Sequence, residues 1–99
     1  LASIHKAAHA GSIECLQFFA QRGFDLDLPS YTGMTPFYMA AEAGHIKCLQ
    51  FLADRGANID QIDIEGFSPM HAAAQNGHIE CLQFLANKGA KVDRVTIQG

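Results

Sequence analysis

The chain has no apolar run near the ~20 residues a membrane-spanning helix needs, and no basic-then-apolar leader opens it. Membrane insertion is therefore not expected. Charge comes in no blocks: ten acids and seven bases are spread along 99 residues, for a formal net charge of −3. The basic stripe typical of nucleic-acid binders is missing, so nucleic acid is not an expected partner. Cysteine is scarce, with three copies at 15, 48 and 81. An odd number, each inside an apolar stretch, argues against a secreted disulfide framework and for a reducing interior, cytoplasmic or nuclear. There is no phosphate-cradling glycine loop, no serine–histidine–aspartate set and no facing carboxylate pair. The residues offer no enzyme, no cofactor site and no small-molecule substrate.

What the chain does have is repetition. Apolar residues make up 48 % of it, enough for one folded domain of modest core. The stretch Gly44-His45-Ile46-Lys47-Cys48-Leu49-Gln50-Phe51-Leu52-Ala53 is preceded by a near copy at 11–20 and followed by another at 77–86, at a constant period of 33 residues. A fixed period of this size marks a stacked repeat array. Within each copy Ile46, Cys48, Leu49, Phe51 and Leu52, or their counterparts, crowd one broad face. The spacing predicts a helix of about two and a half turns that must be covered by its neighbours. Phe18, Phe51 and Phe84 read as core. So do Cys15, Cys48 and Cys81, which form a column with steps of roughly 10 Å, too far apart for disulfides whose Cα atoms lie within about 7 Å.

A shorter helix precedes each long one, at 3–10, 36–43 and 69–76. Thr35-Pro36 and Ser68-Pro69 are helix starts, a hydroxyl acceptor followed by a proline that loses no bond at the first helical position. Ala-Ala pairs at 7–8, 40–41 and 73–74 let neighbouring short helices approach closely, so the two helix layers differ in width and the stack curves. Gly11, Gly44 and Gly77 end the short helices, and Gly23, Gly56 and Gly89 the long ones. Arg22, Arg55 and Lys88 precede the latter, suiting the negative end of the helix dipole. The connectors then bring Leu26, Ile59 and Val92 inward and turn at Gly33, Gly66 and Gly99 in hairpin-like fingers.

These residues resemble the ankyrin-repeat family. Thr35-Pro36-Phe37-Tyr38-Met39-Ala40-Ala41 and Ser68-Pro69-Met70-His71-Ala72-Ala73-Ala74 are similar to its Thr-Pro-Leu-His-x-Ala-Ala pattern. Gly-His-Ile at 44–46 and 77–79, and Gly-Ala-x-Ile/Val-Asp at 56–60 and 89–93, match the rest. The resemblance covers the whole chain and implies an all-α solenoid, antiparallel helix pairs stacked side by side with projecting fingers. Repeats would span 1–34, 35–67 and 68–99. The first copy lacks the proline and places Lys6 where Met39 and Ala72 follow, which suits an end repeat with one face in water. Ile79, Cys81, Leu82 and Leu85 keep the apolar character of internal repeats, so the chain reads as a fragment, with further repeats or a capping element after it.

The resemblance also implies a function: binding another protein or peptide through the concave face. Tyr31, Met34, Ile64, Phe67 and Ile97 lie near the finger turns, at positions that face the groove in this family. Apolar groups gathered on a surface mark interaction sites. Thr32 and Glu65 belong to the same turns, and Glu42, Gln75 and Asn76 would form a polar rim. Two other readings stand beside this one, a spacer within a longer array and a regulatory module of an enzyme or channel. The context of Asp60 and Asp93, eight residues after Leu52 and Leu85, is similar to that of ankyrin residues hydroxylated by an oxygenase; otherwise these are turn carboxylates. His5 and His9 stand four apart as zinc ligands can, but Lys6 occupies the place of the glutamate in the zinc-protease pattern. The resemblance instead makes His5 a bond to backbone at the finger base, and His45 and His78 similar links to loop backbone.

Overall fold

The structure, a computed structural model, describes residues 2–91. Val92, Asp93, Ile97 and the turn at Gly99 lie outside the described residues. Six helices and no strand occur among those described: α1 (Ser3–Ala10), α2 (Ile13–Gln21), α3 (Pro36–Ala43), α4 (Ile46–Asp54), α5 (Pro69–Gln75) and α6 (Ile79–Asn87). They form three helix pairs in a row, the all-α solenoid that the period predicts. None is long and apolar enough to cross a membrane.

Each start signal is used. The Thr35 hydroxyl accepts the Tyr38 amide at 3.2 Å and the Ser68 hydroxyl the His71 amide at 3.1 Å. Both hydroxyls are buried, so they satisfy donors that water cannot reach. Ala2 stands at the equivalent position of α1 and makes no such bond. The alanine pairs also do what their size allows. Helices α1, α3 and α5 pack against one another much more extensively than α2, α4 and α6 do, with Ala8, Ala40, Ala41 and Ala73 wholly buried.

The core runs along the stack through Ile4, Leu16, Phe37, Leu49, Leu52, Met70 and Leu85, with Leu26 and Ile59 packed against it from the connectors. Two sequence expectations need correction here. Cys48 and Cys81 are buried, but Cys15 is exposed. That position faces the preceding repeat, and among the described residues no long helix precedes α2. Lys6 is exposed for the same reason, where Met39 and Ala72 are buried. Phe18 is not core either, at 48 % exposed, while Phe51 and Phe84 are half-buried against the core. The position sits at the edge of the apolar stripe, and the cation ending each helix covers the ring. Arg22 lies 4.6 Å from the centre of Phe18, Arg55 5.6 Å from Phe51 and Lys88 5.7 Å from Phe84. In the last pair Cys81 and Leu85 are fully buried and Leu82 is half-buried. Ile79 alone of the four is open, at 61 %.

Histidines join the pairs. The Nε2 of His45 meets the His9 carbonyl at 2.9 Å and that of His78 the Glu42 carbonyl at 3.0 Å. A carbonyl only accepts, so in both rings Nε2 carries the proton. Each ring lies against a glycine of the preceding repeat: a Cβ on Gly11 would meet His45 at 2.7 Å, and one on Gly44 would meet His78 at 2.5 Å. Both glycines also have φ near +80°, so glycine is required here twice over. Aspartates form a second seam. Asp27 accepts the Asn58 amide at 3.4 Å and Asp60 the Lys91 amide at 3.0 Å.

Candidate functional site

The fingers are built from local hydrogen bonds. In the first, the Ser30 amide donates to the Met34 carbonyl at 2.9 Å, and the Ser30 hydroxyl accepts the Thr32 and Met34 amides at 3.3 and 3.2 Å. In the second, Asp63 takes over each role. Its amide donates to the Phe67 carbonyl at 2.9 Å, and its Oδ1 accepts the Glu65 and Phe67 amides at 2.8 and 2.9 Å. A second backbone bond closes each turn, from the Gly33 amide to the Ser30 carbonyl at 2.9 Å and from the Gly66 amide to the Asp63 carbonyl at 3.0 Å, so the fingers are hairpin-like turns with no β ladder among the described residues. Neighbouring fingers touch directly. The Ile64 amide donates to the Thr32 carbonyl at 2.9 Å, and Gly33 lies so close that a Cβ there would meet the Ile64 nitrogen at 3.0 Å.

The short helices hold the finger bases, each through the same aligned position. His5 Nε2 donates to the Leu28 carbonyl at 2.6 Å, which leaves a buried Nδ1 without a partner. Tyr38 donates its hydroxyl to Asp63 Oδ2 at 3.0 Å. Burial, and then the Asp63 carboxylate with Glu42 and Glu65 nearby, push the Tyr38 phenol well above its ordinary range. His71 packs against Phe67 with ring centres 4.4 Å apart and planes tilted by 58°. The histidine positions therefore serve the framework, as the sequence reading holds, and among the described residues no group of three or more potential metal ligands converges.

On this base Tyr31 is fully exposed and Ile64 is 71 % exposed, at equivalent positions of adjoining fingers. Thr32 and Glu65 are exposed beside them, as are Gln75 and Asn76 at the end of α5, while Glu42 is half-buried. The Asn76 amide donates to the Glu42 carbonyl at 3.1 Å, which ties the rim of one repeat to the next. Met34 and Phe67 differ from the other candidates. Both are half-buried, Met34 against the core and Phe67 on His71, so they support the fingers more than they present a surface. Ile97 and Asp93 lie outside the described residues. Asp60 has one carboxylate oxygen engaged by the Lys91 amide.

One apolar cluster has no counterpart in the sequence reading. Phe18, Phe19 and Phe24 pack edge to face at 5.7 Å and tilted at 5.0 Å, with Phe18 and Phe24 exposed. The available signal was Phe24 standing where the later copies carry Ala57 and Ala90. The thiols of Cys48 and Cys81 are pushed up by burial, Cys81 also by Glu80, and a raised thiol is a poor nucleophile at neutral pH.

No curated protein matches the chain in sequence. A family model described as ankyrin repeats matches it in three copies over residues 4–96. Three copies of the family pattern across nearly every residue, on three stacked helix pairs with finger turns, make this chain a member of the ankyrin-repeat family.

Proposed function

We propose that this domain binds another protein through the face formed by its fingers and short helices. Ankyrin repeats generally act as non-catalytic protein-interaction modules. The observation that carries the finer reading is the pair Tyr31 and Ile64, both open to water on fingers that are hydrogen-bonded to each other. Loop tips are ordinarily polar, and large apolar side chains held there are potential anchors. Because Ser30, Asp63 and Gly33 fix the turns beneath them, little conformational freedom is lost on binding. Thr32, Glu65, Gln75 and Asn76 form the polar surround, with repeats divided near 34/35 and 67/68.

The test compares affinity capture by the intact domain and by a Tyr31→Ser/Ile64→Ser variant of unchanged helicity, with exchange protection mapped for each captured protein. Binding lost in the variant, with protection centred on the fingers, is the expected result. Equal capture by both proteins would transfer the role to another surface or leave the domain a spacer in a longer array.

A further inference from the structure

The basic residues of this domain are distributed unevenly between its two sides, whereas the acids occur on both. Across the finger and short-helix segments 28–43 and 61–76 the charged residues are Glu42, Asp63 and Glu65, with no lysine or arginine among them. Among the described residues, every cation except Lys6 lies on a long helix or in the connector just after it. Arg22, Arg55 and Lys88 cap the long helices and rest on their phenylalanines. Lys6 stands on α1 at the first repeat, exposed where the later copies are buried.

The three acids act on one place. All of them raise the Tyr38 phenol, and no basic group offsets them. Asp63 is buried and engaged at both oxygens, by the Tyr38 hydroxyl and two finger amides. Glu65 is exposed and Glu42 half-buried, and their carboxylates accept no hydrogen bond from a described residue. The face that carries Tyr31 and Ile64 therefore also carries two carboxylates with capacity to spare.

We propose that the occupant of this face is a basic segment of a partner protein, an apolar side chain set against Tyr31 and Ile64 with lysine or arginine reaching Glu65 and Glu42. The assignment rests on the finger-face reading above and gives it a chemistry. A cationic segment meets a field with no local counter-charge, which favours encounter and fixes register. An acidic segment, or a nucleic acid, meets like charge at Glu65 beside Ile64 and again at Glu42. Arginine suits the rim best, because its planar fork can take a carboxylate with two parallel bonds.

The test uses short peptide libraries, equal in length and apolar content, flanked by Lys/Arg, by Asp/Glu or by Ser, titrated onto the intact domain. The basic library is expected to bind most tightly and to weaken steeply from low to high salt. Glu42→Gln/Glu65→Gln should lower its affinity about tenfold and flatten the salt dependence, and Tyr31→Ser/Ile64→Ser should abolish binding. Equal or better binding of the Ser or Asp/Glu library, still lost with Tyr31→Ser/Ile64→Ser, would overturn the basic assignment and leave the finger face standing. Binding indifferent to Tyr31→Ser/Ile64→Ser would overturn both. Failure of every library would overturn the basic assignment, and the capture experiment would then decide the finger face alone.

Discussion

Tyr38 shows how much one side chain can carry here. Its hydroxyl holds Asp63, which in turn closes the second finger through two amides. Tyr38→Phe leaves Asp63 Oδ2 buried without that partner and should cost about 1–3 kcal/mol. The same residue sets an alkaline limit. In the unfolded chain the phenol ionises near pH ~10, and in the folded protein well above that. Below the unfolded value both states keep the proton and the contribution is whole. As pH rises past it, unfolding releases a proton and stability falls until the folded value is reached. The raised thiols of Cys48 and Cys81 start the same decline earlier, from pH ~8.5. Urea midpoints measured between neutral and strongly alkaline pH should drop for the wild type and drop less for Tyr38→Phe. A wild-type profile flat through this range would contradict the burial of the phenol.

Glycines give a second comparison at this scale. Gly44 and Gly56 share a positive φ, but a Cβ at Gly44 runs into the His78 ring at 2.5 Å and one at Gly56 meets nothing within 4 Å. Gly56→Ala should cost about 1–2 kcal/mol for the left-handed backbone alone. Gly44→Ala should cost more, and His78→Ala should recover much of the excess. Additive effects in that double-mutant cycle would show that the ring and the glycine do not interact.

At the scale of the element, each long helix is held mainly by what covers it. Leu49 is fully buried at the centre of α4, so Leu49→Ala should cost about 2–5 kcal/mol. The loss should appear as one lowered transition for the entire stack, since neither flanking pair has a complete partner without α4. A second, unshifted transition would show that the pairs fold independently. The cysteines read out the same packing. Cys15 should react at once with a small thiol reagent, whereas Cys48 and Cys81 should wait for unfolding, being buried with raised pKa. Fast labelling of all three would place the helices further apart than described.

The helices were legible from the chain because three copies repeat the same signals, and Thr35, Ser68 and the glycines mark their ends without tertiary help. Burial was less legible, because it depends on neighbours that a residue's own repeat does not reveal. Cys15, Cys48 and Cys81 stand in nearly the same sequence context, and their burial differs with what the preceding repeat supplies. Phe18 reads as core because it is apolar, and its ring is instead half-open beneath Arg22. The candidate surface divided along the same line. Tyr31 and Ile64 are exposed as expected, but Met34 and Phe67, also apolar and equally close to a turn, fold back onto the core and His71.

At the scale of the whole molecule, the array is a set of like contacts between neighbours, and its stability is approximately a sum of repeat and interface contributions. The aspartate seam is where that coupling can be weakened without touching the core. Asp27→Ala/Asp60→Ala removes two inter-repeat bonds and should cost about 0.5–1.5 kcal/mol for each. Urea unfolding should then broaden as the repeats decouple. An unchanged slope and midpoint would show that these exposed bonds carry no coupling.

The histidine joint has a further meaning for how such a chain can change length. Each full joint has two halves, an imidazole at the front of one unit and a glycine with a carbonyl at the back of the one before. The second unit carries both halves, His45 facing backward and Gly44 with the Glu42 carbonyl facing forward. Copying that unit whole would place a front beside a matching back at every seam, and deleting it would let His78 meet Gly11. A gain or loss of thirty-three residues thus preserves every joint, while a gain or loss of one would set a side chain against the ring where only the hydrogen of glycine fits. Phase, and not the number of units, is what the joint protects.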